Sequence, residues 1–228
     1  MPEKILHQWP NDFLDADADI TAVMQFDGGE MIIAIGGQLN PMTVKAAYSN
    51  GLFPWGKFQG ENVWCSPNNR FVLFPQELKI SKSLRPFINR RNYEVRVNTN
   101  FEGVLIGCKE GGRKKRESTW IFDDLYEAMK TLNQEGFTIS YELYMNGELC
   151  GGLFGQKIGR IFSGDSMFSN TPNASKLVLH YLCNCGEFDL IDCQSFTPYL
   201  QSMGAKFISR KAFIELLILN QFESNGKF

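Results

Sequence analysis

Phe162-Ser-Gly-Asp-Ser-Met-Phe168, followed by Asn173-Ala-Ser-Lys176 and then by Ile191-Asp-Cys-Gln194, is the stretch around which this 228-residue chain is organised. It reads as strand, helix, strand. Ile161 to Ser169 sets one carboxylate, Asp165, among large apolar side chains. Asn173 stands at an N-cap, and the helix it opens carries Leu177, Leu179, Leu182 and Cys185 before stopping at Gly186. Phe188 to Cys193 returns as a second strand and finishes on Asp192 and Gln194, which period-2 alternation puts on one face. Ligands of open α/β sheets gather beyond the carboxyl ends of strands, so polar groups there are candidates for chemistry. Two polar residues that merely satisfy the backbone at a strand end would leave the same pattern.

A net charge of −2 excludes a wholesale polyanion binder, so any nucleic-acid contact must rest on a local basic patch. The six cysteines, Cys65, Cys108, Cys150, Cys183, Cys185 and Cys193, lie mostly in apolar segments without paired metal-ligand spacing, and read as reduced core residues. No apolar run approaches a membrane span, and Met1-Pro-Glu-Lys-Ile-Leu-His7 lacks the apolar core of a signal peptide, so a cytoplasmic protein is expected. The length allows a sizeable core with a smaller lobe attached. Composition changes near Pro67 to Arg70, which predicts a small lobe over 1–69 and a larger domain over 70–228.

Outward from the central stretch, residues 1–30 read as a surface arm and Met31 to Ile35 as a strand broken by Gly36-Gly37. Asn40-Pro41 predicts a helix running through Ala46, Ala47 and Tyr48 to Gly51. Leu52 to Gly56 and Val63 to Pro67 set aromatics beside Gly and Pro, on expected turns. Trp55 there either stacks on a planar ligand or plugs the joint between lobes. Phe71 to Phe74 is an expected strand. Lys82, Arg85, Arg90 and Arg91 follow on a helix interrupted by Pro86, a basic patch or an ordinary solvated face.

Tyr93 to Val97 is read as a strand, Phe101 to Cys108 as an amphipathic helix, and Gly111-Gly-Arg-Lys-Lys-Arg116 as a cationic loop suited to phosphates. A helix over Asp123 to Gln134 ends at Gly136. Thr138 to Tyr144 and Leu149 to Phe154 alternate about Asn146-Gly147, a hairpin signal. Thr197-Pro198 opens a helix ending at Gly204, before a strand over Lys206 to Ser209 and a last helix over Ala212 to Leu219.

Several chemistries are disfavoured. His180, Cys183 and Cys185 do not share one helical face, so a tetrahedral metal site is not expected. Neither His7 nor His180 sits near a Ser or Cys elbow, and phosphate-binding glycine patterns are missing. What remains is a carboxylate or two, one amide and many apolar groups. Such a site does little acid-base work and suits an electrophile that arrives activated and needs positioning.

Phe53-Pro54-Trp55, Ser118-Thr119-Trp120-Ile121, Gly164-Asp165-Ser166-Met167-Phe168, Asn173-Ala-Ser-Lys176 and Ile191-Asp-Cys-Gln194 resemble, in order and spacing, the motifs of bacterial leucyl/phenylalanyl-tRNA-protein transferases. The resemblance runs from about Ile35 to about Ala212. It implies an α/β (α+β) chain whose C-terminal domain has the GNAT-like acyltransferase fold, behind a small N-terminal α+β lobe. It implies transfer of Leu or Phe, and also Met, from aminoacyl-tRNA to the N-terminal Arg or Lys of a protein, marking it for N-degron degradation. A monomer with no metal or dissociable cofactor is expected.

Residue by residue, the resemblance implies a proton-accepting part for Gln194, aided by Asp192. A neutral amide is too weak a base to hold a proton, so Gln194 is read as aiming the amine, and Asp192 as orienting it and stabilising developing positive charge. Leu153, Phe162, Met167, Leu179, Leu182 and Ile191 match the family's side-chain pocket, although each alone suits core packing. Trp55 and Trp120 match aromatics that hold the terminal adenosine or wall the pocket. Lys82, Arg85 and Arg90 fall where tRNA-facing cations are expected, with Pro86 and Asn89 replacing others, so affinity leans on Lys114, Lys115 and Arg116. Two further positions depart from the pattern. Asp165, the expected partner of a cationic acceptor, stands where Glu is usual, and Leu182 stands where an aromatic is usual. Three readings stay open beside the leading one: an altered preference for acidic N-termini, an acyl-CoA-dependent acyltransferase, and a non-catalytic RNA- or peptide-binding protein.

Overall fold

The computed structural model describes residues 8–9, 31–113 and 121–225. Within them the backbone makes two sheets. The first has four strands, β1 (Gln8–Trp9), β2 (Ile32–Gly36), β3 (Phe53–Phe58) and β4 (Glu61–Cys65), in the order β1-β2-β4-β3. Gln8 and Trp9 pair with Ile35 and Gly36, so this part of the expected surface arm is an edge strand. The helix α1 (Pro41–Ser49) begins as its sequence dictates: Asn40 Oδ1 accepts from the Thr43 backbone N–H at 2.8 Å, and Pro41 fills a first-turn position that needs no donor.

The aromatic-rich segment after α1 departs from the expected turns. Phe53 to Cys65 is a hairpin, closed by Gln59 and Gly60 at φ 51° and 89°. Two successive positive φ values suit the tight turn that follows strand twist, and Gly60 makes the second one cheap. Strand geometry then sends Trp64 fully inward, where its indole N–H donates to the Gly36 carbonyl at 2.9 Å, and leaves Trp55 47% exposed. An indole is buried cheaply only with its N–H satisfied, so the glycine turn and Trp64 hold each other.

The second sheet has seven strands. They are β5 (Asn69–Leu73), β6 (Glu94–Val97), β7 (Thr138–Met145), β8 (Glu148–Ile158), β9 (Ile161–Ser169), β10 (Leu190–Asp192) and β11 (Lys206–Ser209), in the order β11-β5-β10-β9-β8-β7-β6. All neighbours are antiparallel except β9 and β10. The Asn146-Gly147 turn carries φ 53° and 83°, as its residues predict. Between these strands lie α2 (Arg85–Arg90), α3 (Phe101–Arg113), α4 (Asp123–Gln134), α5 (Ala174–Asn184), α6 (Pro198–Ser202) and α7 (Arg210–Asn225).

Several boundaries differ from expectation for local reasons. Pro86 does not interrupt α2 but lies in its first turn, where the missing N–H costs nothing. The helix α3 continues through Gly111 to Arg113, so the first three residues of the expected cationic loop are helical. Asn173 occupies the N-cap of α5 at φ 67° without a side-chain capping bond. The strand β10 is three residues long, and Gln194 lies past its end at φ 60°, so strand alternation does not govern its direction.

The two faces of the large sheet carry different cores. One buries Tyr141, Leu153, Phe162 and Ile191 beneath Leu177, Val178, Leu179 and Leu182 of α5. The other buries Phe154, Ile158, Ile161 and Val72 against α3, α4, α7 and the α1 lobe in one continuous cluster. Among the described residues no helix is long and apolar enough to cross a membrane.

Candidate active site

The parallel strands stay together only briefly. Leu190, Ile191 and Asp192 pair with Ile161, Phe162 and Ser163, after which β10 ends and β9 runs on to Ser169 against β8. Beyond the point where the two strands part, Gln194 Nε2 donates to Asp165 Oδ1 of β9 at 2.9 Å.

The Gln194 turn is held from beneath. Its backbone N–H donates to Asp192 Oδ1 at 2.9 Å, and Cys193 N–H donates to the Phe71 carbonyl at 2.8 Å. Asp192 is itself clamped: Arg70 Nε donates to Oδ1 at 2.7 Å, Arg70 Nη2 to Oδ2 at 2.6 Å, and the Ser163 hydroxyl to Oδ2 at 2.7 Å. Asp192 is 0% exposed. An ionised carboxylate accepts about four hydrogen bonds, and here all are taken from inside the protein. Asp192 therefore orients Gln194 through the backbone. Its two oxygens are filled by Arg70, Ser163 and the Gln194 N–H, and Arg70 pairs with its charge.

Arg70 is buried between the rings of Phe53 and Phe213, with its guanidinium carbon 4.6 Å and 4.5 Å from their centroids, and donates to the Gly51 carbonyl at 3.2 Å. Such stacking suits the planar, weakly hydrated guanidinium and not an ammonium. Exposed Trp55 meets the same Phe53 edge-on, with ring centroids 5.9 Å apart.

Asp165 is aimed by a bulge. Phe154 pairs with Ser166 and Gly155 with Gly164, which leaves Asp165 as the extra residue on β9. Gly155 is required opposite it, because a Cβ would lie 2.1 Å from the Ser163 carbonyl oxygen. Besides Gln194, Asp165 accepts from Tyr48 Oη at 2.6 Å, on Oδ1, and from Gln156 Nε2 at 2.7 Å, on Oδ2. The Gln156 amide is fixed in turn by Thr138 Oγ1, which donates to its Oε1 at 2.6 Å. Burial pushes the Asp165 carboxyl up to about 7, against the pull of its three hydrogen bonds. Tyr48 rises well above the usual phenol range, through burial first and then the charge of Asp165. The site thus draws on α1, β5, β7, β8, β9, β10 and the turn after β10.

Thiol nucleophiles are disfavoured by the same environment. Burial holds Cys108 and Cys183 at about 12 and also pushes Cys193 well above the usual thiol range, so little thiolate of these three is present near neutrality.

Of the expected pocket, Leu153, Phe162, Leu179, Leu182 and Ile191 pack in one apolar cluster beneath α5, and Met167 lies partly buried against it. Lys82, Arg85 and Arg90 are exposed before and along α2. Trp120, Lys114, Lys115 and Arg116 lie outside the described residues. Sequence reasoning missed Tyr48, Arg70 and Gln156. Tyr48 looks like one more apolar position beside Ala46 and Ala47. Arg70 is recognisable only once Val72 pairs with Asp192, which puts Arg70 on the carboxylate's face.

The sequence pattern of the family described as leucyl/phenylalanyl-tRNA protein transferase matches residues 72–218. The chain belongs to this family. The Nitrosomonas eutropha transferase is 45% identical over 203 residues, covering 86% of this chain and 86% of its own. The Nitrosospira multiformis transferase is 41% identical, covering 91% and 90%, and that of Dechloromonas aromatica 40% identical, covering 80% and 79%. A solved C-terminal domain (DUF2156) of a putative lysylphosphatidylglycerol synthetase from Agrobacterium fabrum is similar at 11% identity, covering 89% of this chain and 75% of its own, with a TM-score of 0.42, too low to carry a fold assignment. As a member of the leucyl/phenylalanyl-tRNA-protein transferase family, the chain is an aminoacyltransferase of the N-end rule.

Proposed function

We propose that the site between β9 and the Gln194 turn is where a leucyl, phenylalanyl or methionyl ester of tRNA meets the N-terminal amine of an acceptor beginning with Arg or Lys. The observation that carries this is the Gln194 to Asp165 hydrogen bond at 2.9 Å that joins the two. With its Nε2 engaged there, Gln194 presents Oε1 to an incoming N–H. The Asp192 and Arg70 clamp beneath keeps that amide from turning away.

The chemistry needs little more than this. An aminoacyl ester is already a reactive acyl donor, and an α-amine with a pKa of about 7.7–8.0 is partly unprotonated at neutral pH. Holding the two in attacking geometry supplies much of the acceleration. The donor side chain is assigned to the socket of Leu153, Phe162, Met167, Leu179, Leu182 and Ile191. γ-Branched and unbranched apolar groups suit such a socket, and polar ones are excluded. Trp55 and Trp120 are assigned to the terminal adenosine, and Lys82, Arg85, Arg90, Lys114, Lys115 and Arg116 to tRNA phosphates. Residues 1–69 are assigned to a small lobe and 70–228 to a GNAT-like catalytic domain, supported by one parallel strand pair in an otherwise antiparallel sheet. A donor made by translation's own charging enzymes places the reaction in the cytoplasm, and we assign it to a monomer.

The test combines the purified protein, tRNA charged with labelled Leu, Phe or Met, and peptides beginning with Arg, Lys, Asp or Glu. Label is expected on the Arg and Lys peptides. Label on acidic N-termini alone would reassign the acceptor, and transfer from an acyl-CoA but not from tRNA would reassign the donor.

A further inference from the structure

Asp165 is placed differently from a residue whose task is to grip a guanidinium. Tyr48 and Gln194 fill two positions on Oδ1, and Gln156 fills one on Oδ2. Of about four acceptor positions one is left, enough for a single N–H but not for the two parallel bonds of a bidentate arginine. That position is on Oδ2, the oxygen that Gln156 holds, on the same carboxylate whose Oδ1 binds the Gln194 amide assigned to the amine, and Asp165 is half-buried.

We infer that Asp165 is the proton acceptor of the transfer, held by Tyr48 and Gln156 and sharing the attacking amine with Gln194. This rests on the assignment of the Gln194 turn as the transfer site. The amine nitrogen forms a bond to the ester carbonyl carbon and the bond from that carbon to the ribose oxygen breaks. The proton shed by nitrogen passes to the free position on Asp165 and is returned to the ribose oxygen, so the products are an amide and a tRNA hydroxyl. A carboxyl near about 7 and an amine near about 7.7–8.0 exchange a proton with little penalty either way, as general catalysis requires. Among the described residues, the titratable and charged groups facing Asp165 are Tyr48 on α1, neutral; Cys108 on α3, neutral because burial holds it at about 12; and Asp192, whose charge raises Asp165 and is countered by Arg70 on β5.

The experiment measures transfer of labelled Leu from tRNA to an Arg peptide at saturating acceptor, across pH, for the wild type, Asp165→Asn, Asp165→Glu and Tyr48→Phe. Asp165→Asn is expected to lower kcat by ~10²–10⁴-fold, the range of general base catalysis, with acceptor KM and tRNA binding little changed. Its acid limb near about 7 should vanish. Asp165→Glu keeps a carboxylate and should restore much of the rate. Tyr48→Phe removes a hydrogen bond that lowers the Asp165 pKa, so its acid limb should move to higher pH. Tyr48→Phe also keeps the ring's packing, which preserves the test if Asp165→Asn fails to fold by circular dichroism.

An unchanged kcat in Asp165→Asn with a raised KM confined to Arg and Lys peptides would overturn the inference and make Asp165 the partner of the acceptor side chain. An unmoved acid limb in Tyr48→Phe would also count against it. Absence of transfer by the wild type to any peptide would instead remove the functional assignment beneath it.

Discussion

Replacing Arg70 by Met is expected to strip the Gln194 turn of its anchor while leaving most of the surrounding packing in place. Arg70 and Asp192 are 1% and 0% exposed and joined by bonds of 2.7 Å and 2.6 Å, so the guanidinium is what makes an ionised carboxylate tolerable there. A methionine fills much of the gap between the Phe53 and Phe213 rings and favours aromatic neighbours, which keeps the cavity cost small. What remains is an uncompensated buried charge, which costs about 3–5 kcal/mol. For a chain of this length each kcal/mol moves Tm by about 2–4 °C, so a fall of roughly 6–20 °C is expected. The assay is thermal unfolding by circular dichroism without tRNA, on Arg70→Met, Asp192→Leu and the double variant. The double variant removes both charges and should be more stable than the two single losses predict, because the second substitution relieves the penalty of the first. Transfer should be lost in all three while tRNA binding persists. A Tm within about 2 °C of wild type for Arg70→Met, or single losses that simply add, would refute the anchoring role.

Other perturbations test neighbouring parts. Gln194→Gly suits the φ of 60° and should relieve ~1 kcal/mol of backbone strain, so Tm holds or rises while transfer drops on the order of 10²-fold; a lowered Tm would mean the side chain is structural. The Asp165 carboxyl is raised to about 7 when folded, against ~3.9 when unfolded. The folded chain therefore holds this proton more tightly, and the stability so gained, full below the unfolded value, is lost as pH rises through about 7. Wild-type Tm should thus fall relative to Asp165→Asn between acid and mildly alkaline pH, and a difference independent of pH would contradict the shift. Gly155→Ala pushes a methyl against the Ser163 carbonyl at 2.1 Å and the Phe162 ring at 2.8 Å; a loss of about 1–3 kcal/mol with reduced transfer is expected, and a wild-type Tm would show that the bulge has room. Lys82→Ala should weaken tRNA binding and flatten its salt dependence by about one in the log-log slope, whereas an unchanged slope would remove Lys82 from the phosphate contacts.

Much of this site is legible locally. Asn40-Pro41 starts α1 and Asn146-Gly147 closes the β7 and β8 hairpin because each rests on backbone conformations and donors within a few residues. The β9, α5, β10 unit is readable for the same reason, and ordered motifs along it identify the family. The Phe53 to Cys65 hairpin was not readable from its Gly and Pro content, since pairing with β2 decides its conformation. The glycines at the end of α3 fall in the helix although composition suggests a loop: a Cβ at Gly111 would meet only the Phe168 Cβ, at 3.5 Å, so glycine there is no sign of a break.

By itself the chain's order of residues determined the strand-helix-strand unit, the family, and the pairing of a Gln with an Asp near the end of a strand. Tertiary structure alone decided which partners each one meets. Asp192 turns inward to a clamp because Arg70 arrives from a strand 122 positions away, and Asp165 turns toward Gln194 because a bulge and Tyr48 hold it there. The reason is that a carboxylate's role depends on which donors fill its few lone pairs and how much water is left around it. Here those donors come from separate elements, joined only when the sheet closes.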